Sequence, residues 1–300
     1  MVGGWPAPGR ALTTERGDPG LFGPASEAWR LDREAMLLLG AGPRALLLQI
    51  AHPSVAAGVA EHSNFREDPW RRLDGTIRSY LTIVYGSTPA ARAEVRRLNE
   101  LHRGITGSGY SARDPDLSLW VHATLIESTI AAYDAWLEPL SRDRRARFYD
   151  ETKPLGRAFG IPDGLLPEDI DAFDAYYAAM LAPEGPVHPS PIARDLARTI
   201  LRPPLAPLAK LAPPDLADAV RPVLERLPIE TYGWAMWPSV GLLPAGVREE
   251  YGLRWGPLER TVSAWLVAGW QAWRPLIPTS WRWMPHARAA ERRVAALQET

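Results

Sequence analysis

The sequence predicts an all-α protein, a bundle of many helices. Three observations carry that prediction. Apolar residues recur at helical spacing along almost the whole chain, alternating runs of β-branched residues are lacking, and the 30 prolines fall mostly between the periodic segments. A chain of 300 residues can bury a large core.

Taken in order, residues 1–24 are rich in Gly and Pro and read as a loose, flexible arm, followed by a single helical domain over 25–300. Ser26 is a helix cap, with its helix expected to run to about Gly40. "MLLLGAGPRALLLQI" is strongly apolar, yet Gly40, Pro43 and Arg44 interrupt it. At about 15 residues it is shorter than the ~20 that span a bilayer, so it reads as buried core. Asp68 followed by Pro69 is a cap plus a first-turn proline, opening a helix that should end near Gly86. Thr88 with Pro89 repeats the signal for a helix to about His102. "GITGSGYSARDPD" reads as a loop and is followed by a long apolar helix over roughly 116–138. Further helices are expected near 142–159, 167–182, 190–201, 215–226, 229–240, 256–274 and 286–298.

Composition narrows the functions. A formal net charge of -1 gives no case for a nucleic-acid partner, and the absence of cysteine excludes disulfides, thiolate metal sites and a covalently attached haem. Among the basic residues only Lys153 and Lys210 are lysines. The N-terminus lacks the apolar run of a secretory signal, which leads to an expectation of a soluble, cytoplasmic protein. No Gly-rich loop follows a predicted strand, and there is no HExxH, no pair of ExxH motifs and no GxSxG elbow. Trp265, Trp270, Trp273, Trp281 and Trp283 lie close together near the C-terminus. They read either as helix packing or as an apolar face for peripheral contact with a membrane or a greasy substrate.

The polar chemistry is concentrated elsewhere. Arg72 and Thr76 are four apart and share a helix face with Leu73, Ile77 and Tyr80. A cation and a hydroxyl on an inward stripe need either a ligand or a local partner, such as a carboxylate for the arginine and a backbone carbonyl for the threonine. Val95, Leu98, His102 and Ile105 form an apolar stripe that ends with a histidine near a helix terminus. His122 sits in "DLSLWVHATLIES", a helix apolar on nearly every side. A lone histidine of this kind is usually a satisfied core residue. Two of them beside the Arg/Thr stripe suggest a pocket, and neutral imidazole is a natural ligand for haem iron.

Several segments then match a known family. "LLLQIAHPSVAAGVAEHS", "RRLDGT" before "VYG", "LNELHRGITG", "YSARDPDLSLWVHATL", "LPAGVREEYGLRW" and "WRWMPHARAAERR" occur in that order. Over roughly residues 30–295 the chain resembles the catalytic domain of latex-clearing proteins (rubber oxygenases) and of the fungal oxygenase of mycophenolic acid biosynthesis. The resemblance implies a globin-like helical core holding a non-covalent haem b, with dioxygen used to cleave carbon–carbon double bonds. It places Arg72 and Thr76 on the distal side, makes His102 the iron ligand and His122 a further site histidine; if neither is the ligand, His52 or His62 in the opening motif is the next candidate. Gly75 departs from the pattern, because some latex-clearing proteins carry a lysine there that caps the iron. Without an export signal, a small hydrophobic, unsaturated or prenylated substrate is expected in place of solid rubber. A haem-binding sensor or carrier without turnover, and a haem-free helical protein, are the alternatives.

Overall fold

The computed structural model describes residues 17–63, 69–202, 218–219, 221–222 and 233–296. Residues 1–16 of the expected arm, the Asp68 cap and most of the expected 215–226 helix lie outside these residues, as does the start of the 229–240 helix.

Helix α1 (Glu27–Asp32) starts as expected, with Ser26 Oγ accepting from the Trp29 N–H at 3.1 Å. Its N-terminal N–H groups dock on a carboxylate: Glu151 accepts from Glu27 and Ala28 at 3.1 and 3.0 Å, where the helix dipole favours an anion. The helix does not run to Gly40. At Glu34 the backbone turns extended, because Met284 N–H donates to Arg33 O at 2.7 Å and Glu34 forms a bridge to Trp283. The Glu34 carboxylate, only 1% exposed, is held by Arg274 at 3.0 Å and by Arg282. A partner about 240 residues away thus sets this break.

Helices α2 (Ala35–Ala51) and α6 (Pro115–Trp136) form the central pair. The apolar run expected as core is core: Leu47 and Leu48 are fully buried on α2. The two helices approach closely at Gly40, where a Cβ would stand 3.2 Å from Trp136 Nε1. Trp120 Nε1 donates to Leu48 O, and Tyr251 Oη donates to Leu47 O, at 3.1 and 2.7 Å. Buried Arg44 offsets its own cost by donating to Leu242 O (2.7 Å) and Ser128 Oγ (2.8 Å) and by pairing with Glu127.

Two apolar groups flank this pair. On one side Leu47, Leu48 and Ile50 meet Leu196 and Ile200 of α9 (Pro191–Ile200). On the other, Leu37, Ile126 and Ile130 meet Phe148 and Tyr149 of α7 (Arg142–Ala158) and Phe173 of α8 (Ile170–Met180). Each fully buried side chain of this size contributes about 1.5–3 kcal/mol.

α3 (Pro53–His62), α4 (Pro69–Tyr85) and α5 (Thr88–Arg103) close the remaining flank. α4 ends where expected. α5 does too, although its cap is Ser87, whose Oγ accepts from Ala90 N–H. The segment expected as a loop contains a small hairpin, β1 (Thr106–Gly107) and β2 (Tyr110–Ser111), turned by Gly109 at φ 80°. Described helices α10 (Trp237–Gly241), α11 (Ala245–Glu250), α12 (Pro257–Trp273), α13 (Thr279–Arg282) and α14 (Pro285–Ala295) complete an all-α fold. Among the described residues no single helix is long and apolar enough to cross a membrane.

The tryptophan cluster divides between its two expected roles. Trp270 packs on the core, and the Arg33 guanidinium lies 4.3 Å above the Trp283 ring. Trp265, Trp273 and Trp281 stay 75%, 65% and 53% exposed.

Candidate active site

A cavity of 1140 Å³ opens between α2, α3, α4, α5, α6 and the end of α7. Sites for drug-sized molecules occupy about 300–1000 Å³, so this one accommodates a large cofactor or an extended ligand. Its walls are largely apolar, with Leu37, Leu38, Val55, Ile77, Leu98 and Leu125 among them.

Three of the four residues singled out from the sequence line this one cavity: Thr76, His102 and His122. The fourth, Arg72, lies one turn before Thr76 on the α4 backbone, and its side chain is outside the described residues. The spacing of α4 and the caps of its neighbours bring these groups together. His102 sits half-buried in the last turn of α5, where Gly104 and Ile105 N–H donate to carbonyls of that turn. Asn99 Nδ2 donates to Ala158 O at 2.8 Å and ties α5 to the end of α7.

His122 is buried in the middle of α6, and burial pushes its pKa down to about 4. At neutral pH it is therefore an uncharged imidazole. Its Nε2 is a buried nitrogen without a hydrogen-bond partner, an unusual state for a buried polar atom. That ring edge abuts α7, since a Cβ on Gly156 would stand 3.3 Å from Nε2.

The other histidines in the first motif divide. His62 lines the cavity and donates from Nε2 to Thr106 O at 3.0 Å, fixing the hairpin against α3. His52 instead caps α3, its Nδ1 accepting from Ser54 N–H at 3.2 Å. The Tyr110 ring covers Gly58 and Gly107, where a Cβ would approach it to 3.3 and 2.4 Å, and its hydroxyl donates to Glu61 at 2.6 Å. Gly58 of "GVAEHS" and Gly107 of "ITGSGY" are thus explained by this one close approach, and Gly109 by its positive φ.

Gly75 also lines the cavity, and a Cβ built there meets nothing within 4 Å. A side chain at that position has open space before it. Arg97, Arg103, Arg113 and Arg157 add cationic groups to the lining. Arg97 is held by Glu94 at 2.6 Å and Ser79 at 3.1 Å, whereas Arg103 pairs with Glu100 at 2.8 Å and Arg157 with Asp163. Among the described residues no group of three or more His, Cys, Asp or Glu side chains is placed to hold a metal ion directly.

Sequence reasoning missed Asp32, Thr129 and these arginines. Asp32 lines the cavity, accepts from Tyr80 Oη at 2.7 Å and lies 3.5 Å from Thr129 Oγ1. Burial raises its pKa to about 7 against the lowering effect of the two hydroxyls.

Two mycobacterial proteins, uncharacterized protein Mb2261 of Mycobacterium bovis and uncharacterized protein Rv2237 of Mycobacterium tuberculosis, are each 30% identical to this chain over 146 residues. The alignments cover 45% of this chain and 57% of each relative, so the chain spans little more than half the length of the relatives it matches. No solved structure matches. The family model described as "ER-bound oxygenase mpaB/B'/Rubber oxygenase, catalytic domain" matches residues 29–277, the stretch that builds the cavity. The chain belongs to this oxygenase family.

Proposed function

We propose that this protein is a haem b-dependent oxygenase acting on a small hydrophobic substrate that is unsaturated or prenylated. The supporting observation is the convergence of Thr76, His102 and His122 on one large apolar cavity built by the family's segments. The residues present fit the cofactor. The cavity has the volume, its walls are apolar, and two imidazoles, His102 and His122, line it. A single imidazole suffices to hold such an iron, so the lack of a three-residue metal cluster does not conflict with it.

His102 would hold the iron, and His122 would support the site from α6. Lining arginines such as Arg113 would meet the propionates. When bound, haem supplies activation of dioxygen toward a carbon–carbon double bond. The chain's own residues do the rest. Thr76 offers a hydroxyl to an oxygen-bearing group, Arg72 one turn earlier offers a positive charge, and the leucine-rich wall excludes water around the alkene. The exposed Trp265, Trp273, Leu276 and Trp281 extend the proposal to peripheral contact with a bilayer, where apolar substrates partition.

The test is oxygen consumption by the haem-loaded full chain with prenyl compounds. Uptake that needs the substrate, with a carbonyl product, supports an oxygenase. A loaded protein that consumes none across such compounds is a carrier or sensor.

A further inference from the structure

The cavity has one polar wall that the oxygen chemistry leaves unused. Asp32 at the end of α1, Tyr80 on α4 and Thr129 on α6 meet there. Tyr80 lies one turn beyond Thr76, so the cluster continues the stripe on which Arg72 and Thr76 stand. Tyr80 fixes Oδ2 at 2.7 Å, while the Thr129 contact to Oδ1 is long for an O–H···O bond at 3.5 Å. A carboxylate has about four acceptor positions, so Oδ1 keeps acceptor capacity beyond Thr129, and Asp32 lines the cavity. Placing a carboxyl among leucines is costly, and holding a tyrosine hydroxyl needs only a neutral acceptor. A ligand whose donor meets Oδ1 offsets that cost.

We propose that Asp32 is a substrate-recognition residue. With Tyr80 fixing Oδ2, Oδ1 accepts a hydrogen bond from the hydroxyl of an otherwise apolar alcohol or phenol. The substrate class is then a prenyl or terpenoid alcohol, and a bare hydrocarbon is disfavoured. The inference rests on the proposed function only in taking the cavity as the substrate site.

The charged and titratable surroundings of Asp32 are few. Tyr80 and Tyr85 face it from α4, both held neutral far above their usual range by burial. Arg33 is its chain neighbour, Glu291 acts from α14 across Tyr85, and α6 gives the uncharged Thr129. From α2 the cavity wall takes Leu37 and Leu38. From α7, Arg144, Arg147 and Glu151 are engaged at the opposite end of α1, and Arg157 lines the cavity paired with Asp163.

The experiment is calorimetric titration of the full chain with geraniol and with geranyl methyl ether, which has the same skeleton but no hydroxyl donor. At pH 8.5 geraniol should bind at least tenfold more tightly, as expected for a hydrogen bond to a charged acceptor. At pH 5.5 the preference should shrink to threefold or less, because a protonated carboxyl donates to either oxygen. Asp32→Asn should show threefold or less at both pH values, and Tyr80→Phe should keep the preference. Equal binding of the two compounds by the unmodified protein at pH 8.5, or a tenfold preference that survives in Asp32→Asn, overturns the inference and leaves the cavity reading standing. If neither compound binds, the cavity reading fails and the inference falls with it.

Discussion

Replacing Asp32 by Asn should make the protein more stable at alkaline pH and change little at acid pH. In the folded protein burial raises the Asp32 carboxyl from 3.8 to about 7. An acid whose folded pKa is raised binds more protons folded than unfolded between those two values. Stability therefore falls as pH rises through that window and levels off above it. A shift of roughly 3 units at about 1.36 kcal/mol each would be ~4 kcal/mol. Asp32 opens onto a cavity that water can enter, so about half of that, ~2 kcal/mol, is the expected effect. Asn keeps an acceptor for the Tyr80 hydroxyl and carries no charge. Urea unfolding of both proteins at pH 3 and pH 8 measures the effect, and pH effects common to both cancel in the difference. Asp32→Asn should gain about 2 kcal/mol relative to the parent at pH 8 and within ~0.5 kcal/mol of nothing at pH 3, below both pKa values. A difference independent of pH would show that Asp32 does not titrate in this window.

Gly75→Lys should fold normally and gain a few tenths of a kcal/mol from helix propensity, since nothing stands within 4 Å of the new Cβ. With haem loaded, its Soret band should differ from the parent's as the amine reaches the iron; an unchanged band would remove Gly75 from the cofactor's surroundings. Glu34→Gln leaves Arg274 and Arg282 without their carboxylate and should cost about 2–4 kcal/mol, read as a lower denaturation midpoint. A loss below ~0.5 kcal/mol would mean that the α1–α2 break is held by backbone contacts alone. Trp265→Ala with Trp273→Ala should reduce sedimentation with phosphatidylcholine vesicles at least threefold without changing the midpoint, and unchanged sedimentation would remove the bilayer from the proposal.

Local signals gave most of the helices. Proline-opened starts at Pro69 and Pro89 and the apolar stripes of α5 and α6 follow from steric and periodic rules acting within a few residues. The break at Glu34 could not be read this way, because its cause is Arg274, Arg282 and Trp283, far along the chain. The hairpin was hidden in a loop whose Gly107 made sense only beside the Tyr110 ring. For the site, His102 stood out on the apolar stripe of α5 and His122 on the apolar helix α6, and the cavity joins them with Thr76. Asp32 gave no such signal. It is an ordinary acid after an apolar residue, and its place depends on Tyr80 and Thr129, 48 and 97 positions away.

Haem content in relation to His102 tests the cofactor proposal most directly. The full chain should be expressed with added haem precursor, purified, and compared with His102→Ala and His122→Ala at equal folded concentration by absorption and iron analysis. The parent should carry a strong Soret band and about one iron per chain, the single-imidazole stoichiometry. His102→Ala should lose most of both, while His122→Ala should keep haem with altered reactivity. A loaded His102→Ala beside a colourless His122→Ala would reverse the ligand assignment, and two loaded variants would move it to His62. A colourless, iron-free parent protein would contradict the haem proposal outright.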